Sequence, residues 1–310
     1  MLLTFSVLVA LIIDFIVGEP RRWHPLVGFG NAANGLEKKL NFSANKSPFL
    51  LRLRGLIAWA LLVLPMVIFL WWFEKEVSIQ VDVILGIICL AFALGSKSLV
   101  QHAKSVSQAL KDADILLARK RVAMIVSRDT SSSDEKSINI ATIESVLENG
   151  SDAIFAAIFW FIVLGAPGVV LYRLSNTLDA MWGYRTERFN SFGWAAARID
   201  DVLNWLPARL TALSYALVGN ITAALSSWRA QANRWHGVNP GVVMATGAGA
   251  LSIKLGGAAI YHGEKVERPV LGCGNEPQVT DIDRAVQLVN KSIVIWLLVI
   301  VLGEYFIVQI

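Results

Sequence analysis

Six stretches of the chain are apolar enough to read as membrane segments: residues 1–17, 55–73, 83–100, 153–172, 210–228 and 292–308. A helix needs about 20 apolar residues to cross the hydrocarbon core of a bilayer. Gly55–Phe73 (GLIAWALLVLPMVIFLWWF) meets that need, and ends on Trp71 and Trp72, aromatic residues suited to the membrane interface. Residues 83–100 are interrupted only by small residues, and 292–308 contains Glu304. Residues 1–17 are apolar except for Asp14. With no basic start and no small-residue cleavage pattern, they are expected to be a retained helix rather than a signal peptide. Residues 153–172 carry Gly165-Ala166-Pro167-Gly168, a helix-breaking run, and 210–228 is the weakest of the six. The pattern predicts an all-α polytopic membrane protein: about five to six membrane segments, one broken or re-entrant, with helical cytoplasmic loops. It reads as a single integral membrane domain over residues 1–310.

The polar loops are 18–54, 101–152, 173–209 and 229–291. The first is rich in Arg and Lys, whereas the short link Glu74–Asp82 carries three acids against Lys75. The positive-inside rule therefore puts the first loop in the cytoplasm and the short link outside. Were 153–172 a full span, the polar stretch Arg173–Arg209 would fall outside. A broken helix returns it to the cytoplasm.

Composition narrows the class. The chain has 310 residues, 55% of them apolar and only 17% charged, against ~25% in an average protein. With a mean hydropathy of +0.54, this excludes a disordered chain, a coiled coil and a simple cytosolic enzyme. Two cysteines, Cys89 and Cys273, allow neither a disulfide framework nor a Cys-based zinc site. A net charge of +4 implies no nucleic-acid partner. No internal repeat or low-complexity tract is present.

Three polar zones carry the candidate chemistry. In Asp14–Gly28, an acid inside an apolar helix is costly and is usually functional or paired. Asp14 paired to an arginine, with His24 as an interfacial turn residue, is the plainer reading. In the second zone, Ser127-Arg128-Asp129-Thr130 reads as a loop able to hold a phosphate. A helix is predicted from about Ser137, on which Glu144, Glu148 and Asp152 recur at i, i+4 and i+8 and share one face. Like charges so spaced repel, so Mg²⁺, an amine or arginines should neutralise them. A solvated acidic face is the alternative, although these acids run directly into the apolar stretch at Ala153. The third zone, Tyr172–Arg209, holds Arg173, Arg185, Arg188, Arg198 and Arg209 among Asn176, Asp179, Asp200, Asp201 and Asn204, with Trp182, Tyr184, Phe189 and Trp194 interleaved. Arginines suit bidentate recognition of carboxylate and phosphate. A salt-bridged juxtamembrane helix pair would use the same residues. The Gly-rich stretch Gly237–Gly257 matches no nucleotide fingerprint and suits close helix packing instead.

Taken in order, D-x-x-x-G-E-P-x-x-x-H-P from Asp14, S-R-D-T from Ser127, E-S-V-x-E-N from Glu144, N-T-L-D-x-M-x-G-Y-R-x-E-R-F from Asn176 and A-R-x-D-D-x-x-N-x-x-P-A-R-L from Ala197 resemble the adenosylcobinamide-phosphate synthase family. The resemblance runs from Asp14 to about Gly272. It departs at Val238-Asn239-Pro240-Gly241, where the family usually reads serine-proline-asparagine-alanine-glycine, but Asn239, Gly256-Gly257 and Tyr261 remain. It implies an ATP-dependent ligase of the bacterial inner membrane, facing the cytoplasm. That enzyme joins (R)-1-aminopropan-2-ol phosphate to a propionate of adenosylcobyric acid, with ATP and Mg²⁺, and with other late cobalamin-assembly enzymes as possible partners.

On this resemblance Glu144, Glu148 and Asp152 are expected to hold Mg²⁺, with one of them as the amine's base. Arg128 and Asp129 orient ATP, and Asp179 with Asn176 positions an amine or metal. Arg185, Arg188, Arg198 and Arg209 share phosphate and propionate recognition. Asp14 and His24 complete the site, and Asn149, Asp201, Asn204, Asn239 and Tyr261 join the substrate-binding set. Two other classes share these features: a corrinoid transporter, disfavoured by the lack of repeats, and a non-enzymatic membrane sensor related to the family. The sensor is not expected to keep the whole run of Glu144, Glu148, Asn176, Asp179, Arg198 and Asp201.

Overall fold

The computed structural model describes residues 2–18, 25–41, 47–261 and 264–309, and only the backbone of residues 260, 261, 264, 265 and 307–309. The helices are α1 (Leu2–Val17), α2 (Pro25–Leu40), α3 (Pro48–Glu76), α4 (Ile79–Ala93), α5 (Ser96–Lys111), α6 (Ile115–Val122), α7 (Glu135–Gly150), α8 (Ala156–Trp182), α9 (Trp194–Leu203), α10 (Trp205–Val218), α11 (Ile221–Gln231), α12 (Pro240–Leu251) and α13 (Val279–Gln309). Before α13 come four short strands, β1 (Lys254–Leu255), β2 (Ala259–Tyr261), β3 (Glu264–Val266) and β4 (Leu271–Gly272). β1 pairs antiparallel with β4, and β2 with β3.

Among the described residues, four helical stretches are long and apolar enough to cross a membrane: Pro48–Glu76, Ile79–Lys111, Glu135–Trp182 and Val279–Phe306. Leu2–Val17 and Pro240–Leu251 are shorter apolar helices. The protein is a polytopic helical membrane protein. On α3 only Gly55, Ala58, Val63 and Leu70 are buried, while Phe69, Trp71 and Trp72 are exposed, as suits a helix that meets lipid on most of its surface. Where the pattern points to one domain, the contacts form two units: Ser96–Phe155 with Trp205–Ile310, and Leu2–Gly95 with Ala156–Asn204. Hydropathy reports burial in lipid, not which helices pack together.

In the unit of Leu2–Gly95 with Ala156–Asn204, the decisive feature is a reversal inside α8. Gly165 takes φ 64° and ψ −148°. After it, Gly168 lies directly against the carbonyl of Trp160, which a straight helix would hold about 12 Å away. The arm before the break meets α4, with Phe161 on Gly86. The arm after it runs back along α3. Ala166 donates its backbone N–H to Glu74 at the far end of α3, and Trp59 Nε1 donates to Ser175 Oγ (3.1 Å) near the start. Leu174, Leu178 and Trp182 then pack with Ala58, Val63, Phe192 and Ala196 in one core. Residues 153–172, read as one broken segment, therefore hold the apex of a helical hairpin.

In the other unit, residues 210–228 are not one segment. α10 ends at Val218, and Asn220 caps α11 by accepting from the Ala223 backbone N–H (3.1 Å). An average over the window hides this polar cap. The Gly-rich stretch forms α12, buried at every residue from Gly241 to Leu251.

The dihedral pair at Gly165 is one that essentially only glycine adopts, and forcing another residue into it costs ~1–3 kcal/mol. Gly165→Ala is expected to lower stability by that order. Gly28→Ala, in α2 with open space around it, is expected to be neutral or slightly stabilising. Thermal unfolding of both variants in one detergent checks this, and equal behaviour would contradict the assigned break.

Candidate functional site

α7 begins where Asp134 accepts from the Ser137 backbone N–H (2.8 Å), and it presents Glu144 and Glu148 one turn apart. Glu144 is buried and heavily bonded. Its carboxylate accepts from Arg268 Nη1 (3.0 Å) and the Gly256 backbone N–H (2.9 Å), and pairs with Arg128 Nη1 at 3.2 Å. Gly256 and Gly257 have φ of +81° and +78°, which lets the chain turn its N–H onto Glu144. A Cβ on Gly256 would overlap the Pro269 carbonyl. Arg268 Nε donates to the Gly257 carbonyl (3.0 Å), and its guanidinium lies 5.1 Å from the Trp235 ring centroid.

These bonds revise the metal assignment. Glu144 is neutralised by two guanidiniums, one of the partners the spacing allowed. Among the described residues no three His, Cys, Asp or Glu side chains gather to hold a metal ion. Asp152 falls in a π-helical turn, Ser151–Phe155, and is half-buried. Arg128 and Glu144, assigned to different ligands, are partners of each other. Asp129 is exposed and accepts from the Ser131 backbone N–H (2.9 Å), a bond that holds its carboxyl below the usual range. Asn149 is exposed and bonds back to Ser145. Arg209 Nη1 donates to Asn239 Oδ1 (3.0 Å) and to the Trp205 carbonyl (2.7 Å). Tyr261 lies in β2 with only its backbone described.

The unit containing α8 and α9 builds a second polar centre. Asn176 Nδ2 donates to Asp200 Oδ1 (3.1 Å), and Asn204 Nδ2 to Asp200 Oδ2 (3.0 Å). The Tyr172 hydroxyl donates to Asn204 Oδ1 (3.0 Å), which fixes the direction of that amide. Among the described residues no cation pairs with Asp200. Burial pushes its carboxyl up to about 6 against the pull of the two amides, and the neighbouring Asp201 charge adds to the rise.

The other expected residues of this unit are placed differently. Arg198 and Asp201 form an exposed i, i+3 pair at 3.0 Å. Arg188 grips Glu37 of α2 with a two-pronged contact, Nε to Oε1 at 3.1 Å and Nη2 to Oε2 at 2.6 Å. Burial alone would raise the Glu37 carboxyl, but Arg188 and Asn41 outweigh it and hold it below its ordinary range. Arg188 is thus engaged in fastening α2 to the loop before α9. Arg185 is exposed and makes no hydrogen bond among the described residues. Asp179 is half-buried beside Gly183, and Asp14 is buried in α1. His24 lies outside the described residues.

Three residues central to these clusters were not among the expected site residues. Asp200 had a signal: Ala196, Asp200 and Leu203 share the buried face of α9, and Asp201 does not. Glu37 and Arg268 had none, since their partners are 151 and 124 residues away.

The family model described as CobD/Cbib protein matches residues 7–289. A cobalamin biosynthesis protein CobD from Stutzerimonas stutzeri is 55% identical over 300 residues, covering 97% of each chain. The protein of that name from Chromobacterium violaceum is 53% identical over 290 residues, covering 93% of this chain and 92% of its own. That from Mycobacterium tuberculosis is 36% identical over 288 residues, covering 91% and 90%. No solved structure matches. The chain belongs to the CobD/Cbib family of cobalamin-biosynthesis proteins.

Proposed function

We propose that this chain is the amide synthase that joins (R)-1-aminopropan-2-ol phosphate to adenosylcobyric acid at the expense of ATP. The observation that carries the reading is Asp200: a buried carboxylate, oriented by two amides, without a cation of its own among the described residues. An amine at neutral pH is protonated and cannot attack. A carboxylate whose affinity for protons has been raised towards neutrality is suited to take that proton.

A propionate oxygen of the corrinoid attacks the terminal phosphorus of ATP, and ADP leaves. The substrate ammonium passes its proton to Asp200. The free amine attacks the acyl carbon, the C–O bond to phosphate breaks, and the nitrogen's second proton leaves on the departing phosphate, giving the amide and inorganic phosphate. Asn176 and Asn204 hold the base in place, and Tyr172 orients Asn204. The residues present fit a Mg²⁺ ion carried on the nucleotide's phosphates better than a protein-built cage. Such an ion takes few carboxylates from the protein. When bound, Mg²⁺ offsets charge on the transferring phosphoryl group. The bacterial inner membrane, with the site towards the cytoplasm where ATP is, fits the basic loop ahead of α3 and the return of α8 towards it.

Purified protein given adenosylcobyric acid, the amino-alcohol phosphate, ATP and Mg²⁺ is expected to yield adenosylcobinamide phosphate, ADP and phosphate. Because the base works ionised, the wild-type rate should rise as pH passes upwards through about 6. Asp200→Asn should lose that limb and ~10²–10⁴-fold in turnover, the usual worth of general base catalysis. Absence of the amide product from wild-type protein would refute the reading. An unchanged pH profile in Asp200→Asn would remove Asp200 from it.

A further inference from the structure

The unit that holds Glu144 contains a donor that its own bonds do not use. The Arg268 side chain is only 6% exposed. Nη1 is given to Glu144, Nε to the Gly257 carbonyl, and the guanidinium plane is backed by Trp235. Nη2 is buried and has no hydrogen-bond partner among the described residues. A buried donor without an acceptor is costly, and native proteins seldom leave one in that state. Here the rest of the side chain is immobilised on three sides, so Nη2 cannot swing out to water.

The charges around it indicate the kind of acceptor. Arg128 and Arg268 converge on the carboxylate of Glu144, with Glu148 close enough to interact with both Glu144 and Arg268, so two guanidiniums and two carboxyl groups share a water-poor setting. A guanidinium nitrogen in such a place favours an anionic oxygen, and phosphate oxygens match its geometry. Glu144 then acts as the clamp that aims Arg268.

We infer that Arg268 is a substrate-binding residue whose Nη2 donates to a phosphate oxygen, either on ATP or on the phosphorylated amino alcohol. This deepens the proposed synthase reading and rests on it for the identity of the two phosphates. No motif in the sequence points to Arg268, and its place just before Pro269, between β3 and β4, gives it no helical periodicity to be read from.

The test is direct binding to purified protein in detergent, measured separately for Mg-ATP, aminopropanol phosphate and adenosylcobyric acid. Arg268→Lys keeps the charge and can still serve Glu144, but cannot serve a second acceptor in the same plane. It is expected to weaken one or both phosphate ligands by about 10- to 100-fold, the scale of a lost charge-assisted hydrogen bond, while the corrinoid stays within about threefold. The ligand affected identifies the source of the phosphate. Trp235→Leu, which removes the backing of the guanidinium, should weaken the same ligand to a smaller degree and serves if the lysine variant does not fold. Wild-type binding of neither phosphate ligand would overturn the inference. So would unchanged affinities in both variants, or an equal loss for all three ligands. Because binding is read without turnover, a wild-type protein that binds these phosphates through Arg268 but forms no amide would count against the synthase reading alone.

Discussion

Inside a bilayer every backbone polar group must find its partner within the protein, and the reversal of α8 is organised by that constraint. Breaking a helix in an apolar setting exposes N–H groups that lipid cannot satisfy. At Gly165 the chain takes a backbone conformation reserved for glycine, and the N–H of Ala166 is accepted by Glu74 at the end of α3. That single placement sets the return path along α3 and brings Trp59 to Ser175. It also carries Tyr172 and Asn176 to where α9 can meet them. Asp200 has its partners because the helix turned back.

The two polar centres show two ways of keeping a carboxylate out of water. Glu144 is met by two guanidiniums and a backbone N–H, so its carboxylate is answered by fixed cations. Removing one partner from such a set is more damaging than the set is stabilising. Among the described residues Asp200 is met only by neutral amides, which direct its oxygens without cancelling their charge. The first arrangement suits holding an anion beside fixed cations. The second suits a group that must gain and lose a proton.

Much of this was legible in the sequence, and the remainder was hidden for physical reasons. Apolar length identified a helical membrane protein, and Gly165 to Gly168 marked the break, because both signals are local. Arg128, Glu144, Asn176 and Asn204 stand in motifs visible in the sequence, but that Arg128 meets Glu144 and that both amides meet Asp200 depends on packing. The adjacent acids Asp200 and Asp201 look alike in the sequence until the buried face of α9 is traced through Ala196 and Leu203. Arg188 looked like a free anion receptor, but its fork closes on Glu37 from a distant helix. Residues 210–228 looked continuous because averaging hydropathy conceals one capping asparagine. Pairings over such separations leave no periodic trace.

The return of α8 makes a claim about sides of the membrane that can be measured with an impermeant thiol reagent. In a chain lacking Cys89 and Cys273, single cysteines would be placed at Arg52, just inside the start of α3, at Glu76, at its far end, and at Arg185, beyond the returning arm. All three positions are exposed. Position 76 is expected to be labelled in intact cells, and 52 and 185 only in inside-out vesicles. Labelling of 185 together with 76 from outside would mean that α8 crosses without turning back, and would contradict the account at its centre.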